Sequence, residues 1–144
     1  MSARDYLGAL RYMERRIDAK TEAAARMRAR AERITTVLTG MPRGSGSGSP
    51  MESAAVELAD LETDLLREAA ELRERRREAA ALLAMMQDER LRTILDERYL
   101  CRMSWQRVAR DIYCSYDHVF RLHRQALVEF GKILAREHID SQCQ

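Results

Sequence analysis

Two long stretches in which apolar residues return at alternating steps of three and four constrain this chain more than any other feature. The first runs through Tyr6, Leu10, Met13, Ile17, Ala24, Met27, Ala31, Ile34 and Leu38, with only Lys20 out of character. The second runs through Met51, Ala54, Leu58, Leu61, Leu65, Leu72, Ala79, Leu82 and Met86, interrupted by Glu68 and Arg75. A repeat averaging 3.5 residues keeps one apolar stripe on one side of a helix, the pattern of a coiled-coil seam. Between the two lies Pro42-Arg43-Gly44-Ser45-Gly46-Ser47-Gly48-Ser49-Pro50, a linker whose glycines and serines supply flexibility.

The linker's ends carry the chemistry of helix termini. Gly40 suits the left-handed residue that closes a helix, and Pro42 forbids continuation. Ser49-Pro50-Met51-Glu52 offers an N-cap serine, a proline at the first helical position and a glutamate three residues after the cap. Two helices of about 35 residues, each about 50 Å long, are therefore expected to fold back as an antiparallel hairpin over residues 1–86. With the loop centred near residue 45, Lys20 falls opposite Glu68, and the two are expected to pair; a lysine snorkelling to solvent is the alternative.

Charge is segregated along the chain. Residues 1–40 carry 9 basic and 5 acidic side chains, and residues 51–86 carry 5 and 9. From Arg98 to Arg136 there are 8 basic residues against Asp111, Asp117 and Glu129, so a net charge of only +2 hides a basic C-terminal segment. No apolar run reaches the roughly 18 residues that span a bilayer, and no secretory segment opens the chain, so a cytoplasmic protein of a bacterial host cell is expected. Cys101, Cys114 and Cys143 form no close pair, which disfavours a disulfide framework.

From Asp88 the pattern changes to three shorter helices: Asp88 to about Arg102, Ser104 to Tyr113, and Ser115 onward. Ser104 and Ser115 are placed as N-caps, and the turn between the last two is about three residues, as in a helix-turn-helix. Val108, Ile112, Cys114, Val119 and Leu122 are expected to face inward, with small Ala109 where the helices cross. The fold class is thus all-α, a long N-terminal hairpin followed by a three-helix domain at 87–144. The expected DNA-binding set is Gln106 and Arg107 for phosphates, with Ser115, Tyr116, Asp117, Phe120, Arg121 and Arg124 on the exposed face of the last helix.

Other patterns are weaker. Cys101, Cys114, His118 and His123 make a C-x12-C-x3-H-x4-H string, but without a close cysteine pair no zinc site is expected, nor any other cofactor. His118 and His123 are instead expected as partly exposed residues near phosphate, where protonation would tighten binding. Trp105 is expected in the core. The Arg75-Arg76-Arg77 run has Glu71, Glu74 and Glu78 beside it and reads as a self-paired helix face. No Gly-rich phosphate loop, HExxH or serine-base motif is present, so a non-enzyme is expected.

The segments Arg98-Tyr99-Leu100, Ser104 to Ala109 and Cys114 to Leu127 resemble a sigma-factor region-four helix-turn-helix. The whole chain, including Tyr6-Leu7 and the Met41 to Ser45 loop, is similar to a phage-encoded family of small sigma-factor-like proteins akin to RinA-type late-gene transcription activators. The resemblance implies a phage or prophage transcription regulator whose partner is double-stranded DNA, with host RNA polymerase as a further candidate partner; the hairpin is read as a rigid arm for homo-oligomerisation or for such a partner. Two other readings stay open: a packaging component resembling a small terminase subunit, and an adaptor that docks on polymerase. The chain departs from the sigma-like pattern at Arg102 and Tyr113, both at turns where glycine is usual. A positive φ at such a residue costs roughly 1 kcal/mol or more.

Overall fold

The computed structural model describes residues 1–38 and 50–143, the side chains of 34–38 excepted. Among them every regular element is helical: α1 (Ala3–Leu38), α2 (Pro50–Leu83), α3 (Glu89–Leu95), a π-helical turn (Asp96–Leu100), α4 (Trp105–Asp111) and α5 (Tyr116–Gln142). Helix α2 begins at Pro50, as expected; the readings on Gly40, Pro42 and the Ser49 cap lie outside the described residues. None of the described helices is long and apolar enough to cross a membrane. The chain groups into two compact units, residues 1–12 with 72–144, and residues 13–71.

In the unit of residues 13–71, Glu68 accepts from both Lys20, at 2.5 Å, and Arg16, at 2.9 Å. Arg28 pairs with Glu62. Partner numbers fall on α2 as they rise on α1, so the two helices run in opposite directions here, and Lys20 pairs with Glu68 as expected. Its two cations, the Lys20 hydrogen bond above all, hold the Glu68 carboxyl below the usual carboxylate range. Ala24 is buried, whereas Met13, Ile17, Met27, Leu58, Leu61 and Leu65 are half-buried.

The unit of residues 1–12 and 72–144 has a deeper core. Leu7, Leu83, Ile94, Leu95, Val108, Val119, Phe130 and Ile133 are its largest fully enclosed side chains, each contributing about 1.5–3 kcal/mol through removal from water. The Tyr6 ring lies 5.9 Å from Phe130, joining the start of α1 to α5. Helix α3 packs on α5, as does α4. At the end of α2 the seam residues Ala79 and Met86 are buried as expected, but between them Leu83, 2% exposed, takes the place of Leu82, which is half-buried. Ala79, Leu83 and Met86 keep steps of four and three, so the 3.5-residue repeat holds and only the member between Ala79 and Met86 moves by one residue.

Asp88 caps α3, its Oδ1 accepting from the amides of Arg90 and Leu91 at 2.9 and 3.1 Å. The helix expected to run unbroken to about Arg102 instead widens at 96–100 into a π-helical turn. The Cys101 amide donates to the Asp96 carbonyl, five residues back, at 3.0 Å. A wider turn brings residue i+5 beneath residue i. Leu100 thereby joins Leu95 and Tyr99 on the buried side, and all three are at most 7% exposed.

Candidate nucleic-acid interface

Both helices around the expected site start on a serine, as their sequence positions require. The Ser104 hydroxyl accepts from the Arg107 amide at 3.3 Å, and the Ser115 hydroxyl from the His118 amide at 3.1 Å. Each satisfies one amide of a first turn that has no intrahelical partner.

Between them, the Cys114 amide donates to the Ala109 carbonyl at 3.0 Å and the Tyr113 amide to the Arg110 carbonyl at 3.2 Å. This pair of bonds, six-to-one around five-to-two, is the Schellman closure, which needs a left-handed residue at its centre. Tyr113 supplies it with φ 56° and Arg102 makes the other positive-φ turn with φ 59°. The two departures from glycine are thus the described non-glycine residues that sit in the left-handed region.

The inward set behaves largely as its spacing indicates. Val108 and Val119 are fully buried, Ala109 is 4% and Leu122 8% exposed, while Ile112 and Cys114 are half-buried. Ala109 is buried and α4 packs on α5, so a longer side chain at 109 would have to find room in a closed core.

An aromatic cluster then ties three elements together. The Trp105 ring centroid lies 5.0 Å from Phe120 and 4.7 Å from His123, edge-on to the latter, and the Arg98 guanidinium sits 4.5 Å above the indole. The Tyr99 hydroxyl and His123 Nε2 are 2.9 Å apart. Trp105 is therefore a packing residue at the start of α4.

His123 and Phe120 both depart from the exposure expected of them. His123 is buried, not partly exposed beside phosphate; desolvation first, then the nearby Arg4 and Arg98 charges, push its pKa down to about 4. It is neutral at physiological pH and takes no part in a protonation-driven contact. Phe120, expected on the exposed face, is half-buried because Trp105 covers one side and Tyr116, 5.0 Å away and edge-on, approaches from another. The periodicity of α5 alone places Phe120 at the margin of the buried face, and only the Trp105 side chain from another helix closes over it.

The remaining expected residues lie at the surface. Gln106, Arg107, Ser115, Tyr116, Asp117, Arg121 and Arg124 are all exposed. Ser115 spends its hydroxyl as a cap. Arg107 Nε lies 3.6 Å from Asp111 one turn on. Asp111 also neighbours Glu97, whose carboxyl is pushed up first by burial and then by the Asp111 charge. Arg121 and Arg124 have no ion pair among the described residues. Cys101, Cys114, His118 and His123 do not converge; among the described residues no three His, Cys, Asp or Glu side chains are placed to hold a metal ion.

The positioning cluster of Arg98, Tyr99, Trp105 and His123 escapes sequence reading, because Tyr99 and His123 are 24 residues apart and on different elements. Its single local signal is the aromatic pair at Tyr99 and Trp105, near the segment boundaries.

Comparison with curated proteins and with solved structures yields no match. Residues 45–131 match the model of a family described as Protein of unknown function (DUF1492). That match covers more than half of the 144 residues, and the chain belongs to this family.

Proposed function

We propose that the chain is a sequence-specific double-stranded DNA-binding protein, a phage or prophage transcription regulator of sigma-factor region-four type, acting in the cytoplasm of a bacterial host. In this reading residues 87–144 form a helix-turn-helix domain and residues 1–86 an antiparallel hairpin available for oligomerisation or for RNA polymerase. Helix α5 enters the major groove, and it acts by binding, not by catalysis. The observation that carries the reading is the division of α5. Val119 and Leu122 lock one side into the core against α4, and Arg121 and Arg124 stand exposed on the other.

The roles follow from the chemistry of each group. Arg121 and Arg124 offer guanidinium forks to guanine edges or phosphates, Asp117 accepts from a cytosine amino group, and Tyr116 reaches a thymine methyl. Gln106 and Arg107, in the first turn of α4, suit phosphate contacts, where the helix dipole also favours anions. Phe120 supports Tyr116 from behind.

Fluorescence anisotropy on duplexes covering the DNA that flanks the gene tests this. Replacing Arg121 or Arg124 by Ala is expected to weaken binding by roughly 1–3 kcal/mol, with loss of base selectivity where the contact is to a base. Equal binding by the wild type and the double variant refutes it.

A further inference from the structure

The charges of α5 are sorted beyond the turns assigned to base contacts. Following the helix at 100° per residue, Arg121, Arg124, Val128, Lys132 and Arg136 fall within about a third of its circumference. All five are exposed, Val128 at 62%, and this side is opposite the buried Leu122, Ala126, Phe130 and Ile133. The ridge holds four cations and, after Asp117, no carboxylate; the half-buried Glu129 lines one groove with Arg124, Val128, Lys132 and Leu91 of α3. Arg121 to Arg136 spans about 22 Å at 1.5 Å per residue. Neither Lys132 nor Arg136 has an ion pair among the described residues.

A helix that meets a duplex by its first turn alone leaves Lys132, three turns further on, with nothing to neutralise. A helix lying along the groove brings every ridge cation within reach of phosphate, and the major groove, about 12 Å wide, admits one. We infer that Lys132 and Arg136 are further DNA contacts, and that α5 lies lengthwise against duplex DNA with its outer ridge following the phosphate backbone. This rests on the DNA-binding reading above and extends its surface by about three turns. Such contacts act by releasing counterions, so they raise affinity on every sequence alike and carry no base selectivity.

The test uses the full chain and a fluorescein-labelled duplex of mixed sequence, titrated by anisotropy from about 50 to 200 mM salt. Each phosphate contact contributes about 0.9 to the slope of log affinity against log salt concentration. The Lys132→Ala/Arg136→Ala variant is expected to lower the slope by about 1.8. An Arg15→Ala/Arg26→Ala variant, which removes two exposed cations from α1 and so the same net charge, is expected to leave it nearly unchanged. Unaltered circular dichroism establishes that both variants are folded.

An unchanged slope in the α5 variant overturns the inference, and so does an equal drop in both variants, which makes the effect one of net charge. If Arg121→Ala/Arg124→Ala weakens binding while the α5 variant does not, the lengthwise placement alone falls. If the wild type binds no duplex at the lowest salt, the DNA-binding reading falls with it.

Discussion

Replacing Tyr113 by glycine is expected to stabilise the protein, although it removes a large side chain. The residue has φ 56° and is 95% exposed, so it holds a left-handed backbone and loses almost no packing on truncation. The β-carbon penalty in that conformation is about 1–2 kcal/mol. Glycine's greater unfolded-state entropy returns about 0.5–1 kcal/mol of this. The net gain is about 0.5–1 kcal/mol, a rise of about 2–3 °C in the melting temperature for a chain of this size. Thermal and urea unfolding followed by circular dichroism measure it. Tyr113→Ala is the control, because alanine keeps the β-carbon and is expected to bring no such gain. Equal stability of the glycine and alanine variants, or a glycine variant that melts below the wild type, refutes the assignment of strain to this turn. The amide bonds from Tyr113 and Cys114 back to Arg110 and Ala109 explain why the conformation persists at all: they close the end of α4 whichever residue occupies the centre.

Acid is expected to destabilise the fold through His123. Its folded pKa, about 4, lies below the ordinary 6.5, so the unfolded chain binds more protons between those values, and stability present above pH 6.5 is lost as pH falls toward 4. The loss is up to about 1.4 kcal/mol per pH unit, and urea midpoints of the wild type and His123→Leu over that window should show a shallower dependence in the variant. Ala109→Leu is expected to cost about 1–3 kcal/mol by overpacking the α4 and α5 contact, and to weaken DNA binding more than its stability loss accounts for, measured by unfolding and anisotropy together. Replacing either Lys20 or Glu68 by Ala should lower the melting temperature, and the double variant Lys20→Ala/Glu68→Ala should lose less than the sum of the two; strictly additive losses would show that the pair does not couple α1 to α2.

Several features of the molecule follow from local rules and were open to reading. Ser104 and Ser115 cap α4 and α5 because a serine before a helical run is the nearest acceptor for its unpaired amides. The pairing of Lys20 with Glu68 follows from counting outward from the linker, since two straight helices of equal rise keep register. Val119 and Leu122 are buried because residues three apart share a side of a helix. The turn at 113 was marked by the resemblance, whose pattern has glycine there, and the helix closure does place a left-handed residue at that position.

What composition and periodicity determined, then, is which residues are helical, where α3, α4 and α5 begin, and which side of each turns inward, since these depend on neighbours within about one turn. What only the tertiary structure decided is the fate of side chains at the margin of those sides. His123 is neutral and enclosed because Tyr99 and Trp105 arrive from other elements. Phe120 is half-covered because the indole of Trp105 lies over it. Leu100 is buried because the π-helical turn at 96–100 rotates it beneath Leu95. In each case the deciding partner is distant along the chain or the backbone departs from the ideal helix, and neither circumstance leaves a trace in the local pattern.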